Sequence, residues 1–371
     1  MTERWRLTRS GPLEPLEIHA IYEAIAYGVS NNEAPDTLHV CWPSRPYVCI
    51  GIHQIAELEV DMDKCREMGL QVVRRQLGGG AVYLDSNQFF YHIVVHKKHA
   101  PVNIREMFQR YLQPTICTYR KFGLPAEYRP LNDVVIRGRK ASGNGAATFG
   151  DAVVVVGNVI LDFEPKAFAS VLRIPDEKMR DKMIRSMEGW VTSLRKELRR
   201  KPSMSEVEEV YRRCFEEIYG IELVEGELTP SEREYMKKLM KKYGDKKWIF
   251  KYREKHGGML SRVGGKRKVK VMENHYILQL VEKPEKLIRV VVEVRDNKIL
   301  DIAISGDFFL NPPELLDEIE NSLVGRSVDT IENLRPEDVI SSQDPRSLSE
   351  DMKSLISQIL DIVAKVKSEL R

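Results

Sequence analysis

Val72-Val73-Arg74-Arg75-Gln76-Leu77-Gly78-Gly79-Gly80-Ala81-Val82-Tyr83-Leu84-Asp85 sets three consecutive glycines between two short β-like runs. Glycine accepts backbone angles that other residues resist, and it lets the main chain come close to a ligand. Successive N–H groups in such a loop form a concavity suited to an anion, and Arg74 and Arg75 stand beside it. The same residues also suit a tight hairpin with a solvated arginine pair. The loop is not a P-loop, because GxxxxGK[ST] is absent, and it is not a dinucleotide fingerprint, because no GxGxxG opens a helix.

Working outward, Glu14–Ser30 places Leu16, Ile18, Ile21, Ile25 and Val29 near helical spacing. Thr37–Trp42, Tyr47–Gly51, Gln71–Arg74, Ala81–Tyr83 and Phe89–Val95 read as strands, with a helix over Asp61–Met68. Ile104–Phe122 reads as one helix stopping at Gly123. Val134–Ile136 and Ala152–Leu161 are further strands, the second apolar enough to be buried on both faces. Residues 164–242 are helical and charged, most clearly Ser205–Tyr219. The character then shifts near Gly257-Gly258. Lys266–Met272, His275–Val281, Leu287–Val294 and Lys298–Ser305 alternate as in an antiparallel sheet, followed by helices over Pro313–Leu323 and 347–368.

The 371 residues carry 58 Lys+Arg against 55 Asp+Glu, a net charge of +3, which removes the usual reason to expect a nucleic-acid binder. No apolar run is long enough to span a membrane, and MTERWRLTRSGPLEPLE lacks the apolar core of a secretory signal. Cys41, Cys49, Cys65, Cys117 and Cys214 are odd in number and lack CxxC spacing. A disulfide framework and a zinc ribbon are therefore not expected, and a reducing, cytoplasmic setting is. Cys41, Cys49, Cys65 and Cys117 are expected as small buried hydrophobes. His92, His96 and His99 point in divergent directions from a strand-to-loop segment, so no metal site is expected there.

A second stretch, Leu131-Asn132-Asp133-Val134-Val135-Ile136-Arg137-Gly138-Arg139-Lys140-Ala141-Ser142-Gly143-Asn144-Gly145, puts a lysine in a Gly/Ser-rich loop after a strand. Such a lysine can meet a developing negative charge, and Asn132 and Asp133 offer oxygen ligands to magnesium. A polar β-turn would use the same residues.

Taken together, RRxxGGGAVYxD from Arg74 to Asp85 and NDxxxxGRKxSG from Asn132 to Gly143 resemble the lipoate–protein ligase A family of the biotin/lipoate ligase superfamily. The resemblance covers roughly residues 15–245. It continues in Gly258-Met259-Leu260, Asn297-Lys298-Ile299 and Gly306-Asp307-Phe308-Phe309, which look like that family's accessory domain. It implies a two-domain α/β (α+β) fold: a mixed-sheet catalytic domain over 1–245, a small α+β accessory domain over 246–345, and a terminal helix over 346–371.

The function it implies is ATP-dependent ligation of lipoate to a lysine of an acceptor protein through lipoyl-AMP. Lys140 would be the catalytic residue, between carboxylate and α-phosphate. Arg75, Gly78, Gly79, Gly80, Ala81, Val82, Tyr83, Asn132, Asp133 and Lys140 would bind ATP, with Asp133 on Mg2+. Val73, Gly79, Lys140, Val155 and Gly157 would meet lipoate. Acceptors would be lipoyl domains of 2-oxoacid dehydrogenases or the glycine-cleavage carrier protein, with no nucleic acid or membrane involved. The glycines at 257–258 and 264–265 would suit a hinge or plain turns.

The chain departs from the family at Leu77, where a small hydroxyl residue is usual, at Leu84, where His is usual, and at Val155-Val156-Gly157, where His-His-Gly is common. An octanoyl- or lipoyltransferase of the same fold would need a cysteine nucleophile. No cysteine follows the Lys140 stretch until Cys214, which counts against it. A biotin ligase would need a GRGRxxR-type loop, which is missing. A non-catalytic binder of an acyl-adenylate or lipoyl domain is the remaining alternative.

Overall fold

The computed structural model describes residues 2–174, 177–342 and 348–370. The expected limits at 345/346 and the start of the last helix at Ser347 lie outside the described residues. Two compact units form. One takes the chain up to Ile50, Val60–Leu77 and Ala81–Asp245; the other takes Gly51–Glu59, Gly78–Gly80 and the chain from Lys246.

The first unit is a mixed α/β structure around a mixed sheet. Its strands are β1 (Glu3–Arg9), β2 (Thr37–Cys41), β3 (Tyr47–Ile50), β4 (Gln71–Arg74), β5 (Val82–Leu84), β6 (Gln88–His96), β7 (Ala126–Arg129), β8 (Asp133–Ile136), β9 (Arg139–Phe149), β10 (Ala152–Ile160) and β11 (Ile221–Glu225). The large sheet runs β11-β1-β2-β6-β10-β9-β8-β7, parallel from β11 to β2 and antiparallel beyond. A small sheet, β4-β3-β5, carries the strands flanking the glycine loop.

β6 and β10 occupy the middle, which accounts for their nearly unbroken apolar sequences. Helix Pro15–Ser30 starts with Pro at its first turn and a reciprocal Glu14–Glu17 capping box. Its Ile21, Tyr22, Ile25 and Val29 pack with Val94, Ala152 and Val154. The alternate residues Ile93, Val95, Val153 and Val155 pack with Phe108, Tyr119, Tyr211 and Phe215 in another cluster.

Two expectations fail here for tertiary or steric reasons. Ile104–Phe122 is two helices, Ile104–Tyr111 and Gln113–Lys121, because Pro114 cannot donate into a preceding turn. Cys117 and Cys214 are joined in a disulfide, their Cα atoms 5.8 Å apart where helix Gln113–Lys121 meets helix Met204–Tyr219. A separation of 97 residues hid that pairing from any spacing argument.

The second unit is an antiparallel meander of β12 (Lys268–Met272), β13 (His275–Glu282), β14 (Ile288–Arg295) and β15 (Lys298–Gly306). Ile277, Val290, Val292 and Ile304 pack with Met259, Ile319 and Ile359 of helices Lys251–Val263, Leu315–Leu323 and Glu350–Ala364. Gly257 and Gly258 lie inside the first of these helices, whose backbone departs from helical angles at His256. They form no turn between elements and follow directly on the kink at His256. Gly264, at φ +51°, ends that helix.

His256 is buried, with Nδ1 2.7 Å from Asp301 Oδ1 and Nε2 3.3 Å from Glu320 Oε2. Burial alone would lower its pKa, but the two carboxylates prevail and raise it to about 9. The protonated imidazole therefore stabilises the unit fully below the unfolded value of about 6.5, and that contribution is lost as pH rises through about 9. Thermal stability of the native chain is expected to fall as pH rises across that window. The His256→Gln variant should flatten the slope; an unchanged slope would sink the assignment.

Candidate active site

Lys140 stands on β9, not in a loop. A two-residue turn at Arg137-Gly138, both at positive φ, joins β8 to β9. A bulge then pairs Val135 with Lys140 and Val134 with Ser142. The strand side chains alternate, so Lys140 shares a face with Asp133, and its Nζ lies 2.7 Å from Asp133 Oδ1. Arg129 Nη2 takes the other oxygen at 2.7 Å. Burial would raise the Asp133 carboxyl, but the Lys140 ammonium and Arg129 guanidinium outweigh it and hold it below the usual carboxylate range.

Asn132 is adjacent and buried. Its Nδ2 donates to the Asn144 carbonyl at 2.5 Å, and Asn144 Nδ2 donates back to the Asn132 carbonyl at 2.8 Å. Tyr91 Oη and Ser142 Oγ donate to Asn144 Oδ1 at 2.5 and 3.1 Å. The Asn132-Asp133-Lys140 group is thus mounted on a closed polar framework.

A chain of hydrogen bonds ties this group to the strand after the glycine loop. Gly143 N–H donates to Asn158 Oδ1 (2.8 Å), Asn158 Nδ2 to Gln88 Oε1 (2.8 Å), and Gln88 Nε2 to the Tyr83 carbonyl (3.3 Å). Arg75 directly follows β4 of the small sheet. Its N–H donates to the Ile50 carbonyl at 3.0 Å, and its guanidinium lies against the Cys49 carbonyl at 3.4 Å and Cys49 Sγ at 3.5 Å. Ala81, Val82 and Tyr83 are half-buried.

Gly78, Gly79 and Gly80 cluster with the second unit. A Cβ at Gly78 would lie 2.4 Å from the Phe308 carbonyl oxygen, and one at Gly51 2.1 Å from that of Gly79, while Gly79 has φ +92°. Glycine is therefore required on steric grounds. The Gly79 N–H donates to the Phe308 carbonyl at 3.4 Å, so it is not left open as the expected concavity would have it.

The residues expected to meet lipoate are not gathered into one slot. Val73 is buried with Ile18, Tyr47 and Leu84, whereas Val155 is buried with Phe89, Tyr119 and Phe215. Apolar strand residues show burial in sequence but not which core receives them. Gly157 faces Asn144 and Tyr91: a Cβ there would lie 2.0 Å from Asn144 Oδ1 and 2.3 Å from Tyr91 Oη. Gly157→Ala should accordingly cost at least ~1–3 kcal/mol through overpacking and a broken Tyr91–Asn144 bond. Gly189→Ala, with nothing within 4 Å of its Cβ, serves as the control and should be neutral or mildly stabilising in the same thermal melts.

Lys140 and Arg129 each take one oxygen of Asp133, so a magnesium ion there would share the carboxylate with two cations. Arg129 and Trp190 were not anticipated from sequence. The Arg129 guanidinium lies 6.0 Å from the ring centroid of Trp190, which is 62% exposed. The following Thr192 N–H donates to the Lys140 carbonyl at 2.8 Å. An exposed tryptophan ending an amphipathic helix beside a basic cluster was the one available signal.

His92, His96 and His99 do not converge: His92 is buried, His96 Nδ1 accepts from the Lys98 N–H, and His99 pairs with Asp36 at 2.6 Å. No helix among the described residues is long and apolar enough to cross a membrane.

Residues 14–216 match the model of the lipoyl protein ligase A/B catalytic domain. An octanoyltransferase LipM of Kyrpidia tusciae is 30% identical over 273 residues, spanning 67% of this chain and 99% of that protein. The structure of a bi-partite lipoate protein ligase from Thermoplasma acidophilum, described with its E2 lipoyl domain, is 27% identical with a TM-score of 0.60, over 67% of this chain and 96% of that one. The P. falciparum LipL1 structure in complex with lipoate has a TM-score of 0.68 over 97% of this chain and 99% of its own, a likeness of fold at 16% identity.

Proposed function

This chain belongs to the lipoyl protein ligase A/B catalytic-domain family, and from that premise we propose that it is an ATP-dependent lipoate–protein ligase. The observation that carries the proposal is the Lys140 ammonium, fixed 2.7 Å from Asp133 and braced by the Asn132–Asn144 framework. An ammonium so placed neutralises charge on a carboxylate and a phosphate brought together, the requirement of adenylation.

In the first step a lipoate carboxylate oxygen attacks the α-phosphorus of ATP. The bond from that phosphorus to the bridging oxygen breaks, releasing pyrophosphate and leaving lipoyl-AMP. In the second step an acceptor lysine amine attacks the acyl carbon, AMP leaves, and the amine loses its proton. The protein supplies no nucleophile; it supplies placement and charge. Lys140 contacts both reactants, Asn132 and Asp133 position it, and Arg75 with Ala81, Val82 and Tyr83 holds the nucleotide. We assign the acceptor to the lipoyl domain of a 2-oxoacid dehydrogenase or to the glycine-cleavage carrier protein. The pairing of the Thermoplasma ligase with an E2 lipoyl domain supports the former.

The name of the Kyrpidia relative favours a second reading, octanoyl transfer. That chemistry through a cysteine thioester needs an accessible thiol. Cys117 and Cys214 are joined, and Cys41, Cys49 and Cys65 are each at most 1% exposed. Burial of the free thiols favours ligation, although His19 and Arg75 outweigh burial and bring the Cys49 thiol down to about 7.

Exchange of labelled pyrophosphate into ATP, measured with lipoate, octanoate or biotin, tests the choice. Lipoate-dependent exchange is expected. A folded protein that exchanges with none of the three, yet moves octanoyl from a carrier-protein thioester to a lipoyl domain, would establish the transferase instead.

A further inference from the structure

We propose that His39, Cys41 and His92 form a buried site for one soft or borderline transition-metal ion of the zinc type. The three ligand atoms lie within 4.8 Å of one another, and all three side chains are buried. The sheet itself assembles them: His39 of β2 and His92 of β6 are direct cross-strand partners, and Cys41 follows His39 by two residues on the same face. The imidazole rings stack with centroids 5.3 Å apart.

The hydrogen bonding around the three side chains leaves ligand atoms available. Thr8 Oγ1 lies 2.8 Å from His39 Nδ1, which fixes the ring as an outer-shell partner fixes a metal-bound histidine. His39 Nε2 and His92 Nδ1 are then both buried without a hydrogen-bond partner. What sets these two apart from the other buried imidazole nitrogens is that a thiol, Cys41, joins their histidines in one group of convergent ligand atoms, which a common partner would satisfy.

Metal capture proceeds by replacement: the S–H bond of Cys41 breaks, a sulfur–metal bond forms, and one proton leaves to solvent, with no change of oxidation state. One thiolate and two imidazoles, with no carboxylate, select zinc-like ions over magnesium or calcium. Bound there, the ion would tie β2 to β6 at the centre of the large sheet.

Because the site is closed, metal has to be supplied while the chain folds. Full-length protein produced in cobalt-supplemented medium and purified under reducing conditions is expected to hold about one cobalt per chain, with thiolate-to-cobalt charge-transfer absorption. That absorption should disappear in Cys41→Ser, lose most of its intensity in His92→Asn, and persist in Cys65→Ser. Protein without stoichiometric cobalt, or a band that survives Cys41→Ser, overturns the site. If the variants do not fold, zinc-edge X-ray absorption of the unaltered protein decides: one sulfur at about 2.3 Å with nitrogens at about 2.0–2.1 Å supports it, and a shell of nitrogen and oxygen alone rejects it.

Discussion

Lys140→Ala is expected to lower lipoate-dependent pyrophosphate exchange by about 10²–10³-fold, the cost of removing one preorganised charge contact from a developing anion. The fold should survive. Asp133 keeps its 2.7 Å ion pair with Arg129, and the reciprocal Asn132–Asn144 bonds do not involve the lysine side chain. Lys140→Arg should rescue little. A planar guanidinium presents its donors in a fixed fork, and a compact ammonium reaching two reactants from one point cannot be replaced by that geometry.

The loss should fall on turnover more than on KM for lipoate, because the contact strengthens as charge moves onto the departing phosphate. Asp133→Asn tests the other half of the pair. It leaves Lys140 without its partner's charge, and a smaller loss than in Lys140→Ala identifies Asp133 as a positioning residue. Exchange within threefold of the native rate in Lys140→Ala would remove the lysine from the centre of the chemistry.

Legibility in the sequence followed the range of the interaction. The run Phe89–Val95 and the valines of β10 announce central strands because burial on both faces demands apolar residues at every position. The join of Asn132, Asp133 and Lys140 was legible only through the family resemblance of NDxxxxGRKxSG; the hairpin whose short turn brings them together within nine residues of chain was not, since the sequence alone places Lys140 in a loop. Ser142–Gly145 looked like a loop for a local reason, its glycines and polar residues. It is a strand because Gly157 on β10 leaves room for the inward amide of Asn144.

Contacts made across long stretches of chain left no local trace. The Cys117–Cys214 bond depends on two helices packing. The assignment of Val73 and Val155 to different cores depends on which strands pair. The split at Leu112 was legible in Pro114 itself and was overridden by an apolar period that continued through it.

Glu232→Ala should produce the largest loss of stability. Glu232 is fully buried and Arg6 is 8% exposed, and they meet through two contacts of 2.6 and 2.9 Å. Arg6 also donates to Thr37 Oγ1 at 3.0 Å and to the Glu227 carbonyl at 3.0 Å, so one guanidinium links β1, β2 and the segment leading into helix Pro230–Gly244. Glu232 in turn accepts the Thr229 N–H at 2.7 Å, completing the capping box of that helix. Its carboxylate lies so close to helix Pro15–Ser30 that a Cβ at Gly28 would be 2.4 Å from Oε1.

Removing the carboxylate strands a buried guanidinium, which costs on the order of 3–5 kcal/mol, and takes a helix cap with it. The corresponding fall in the unfolding midpoint of the first unit is on the order of 10 °C. Replacing both partners with apolar residues, as in Arg6→Met with Glu232→Leu, should be less damaging than Glu232→Ala alone, because no charge is then left buried. That ordering separates an ion pair retained for its geometry from one that contributes net stability. If the double variant is the weaker of the two, the pair itself holds the helix to the sheet. A loss below about 1 kcal/mol in Glu232→Ala would show that water reaches Arg6 in the folded chain.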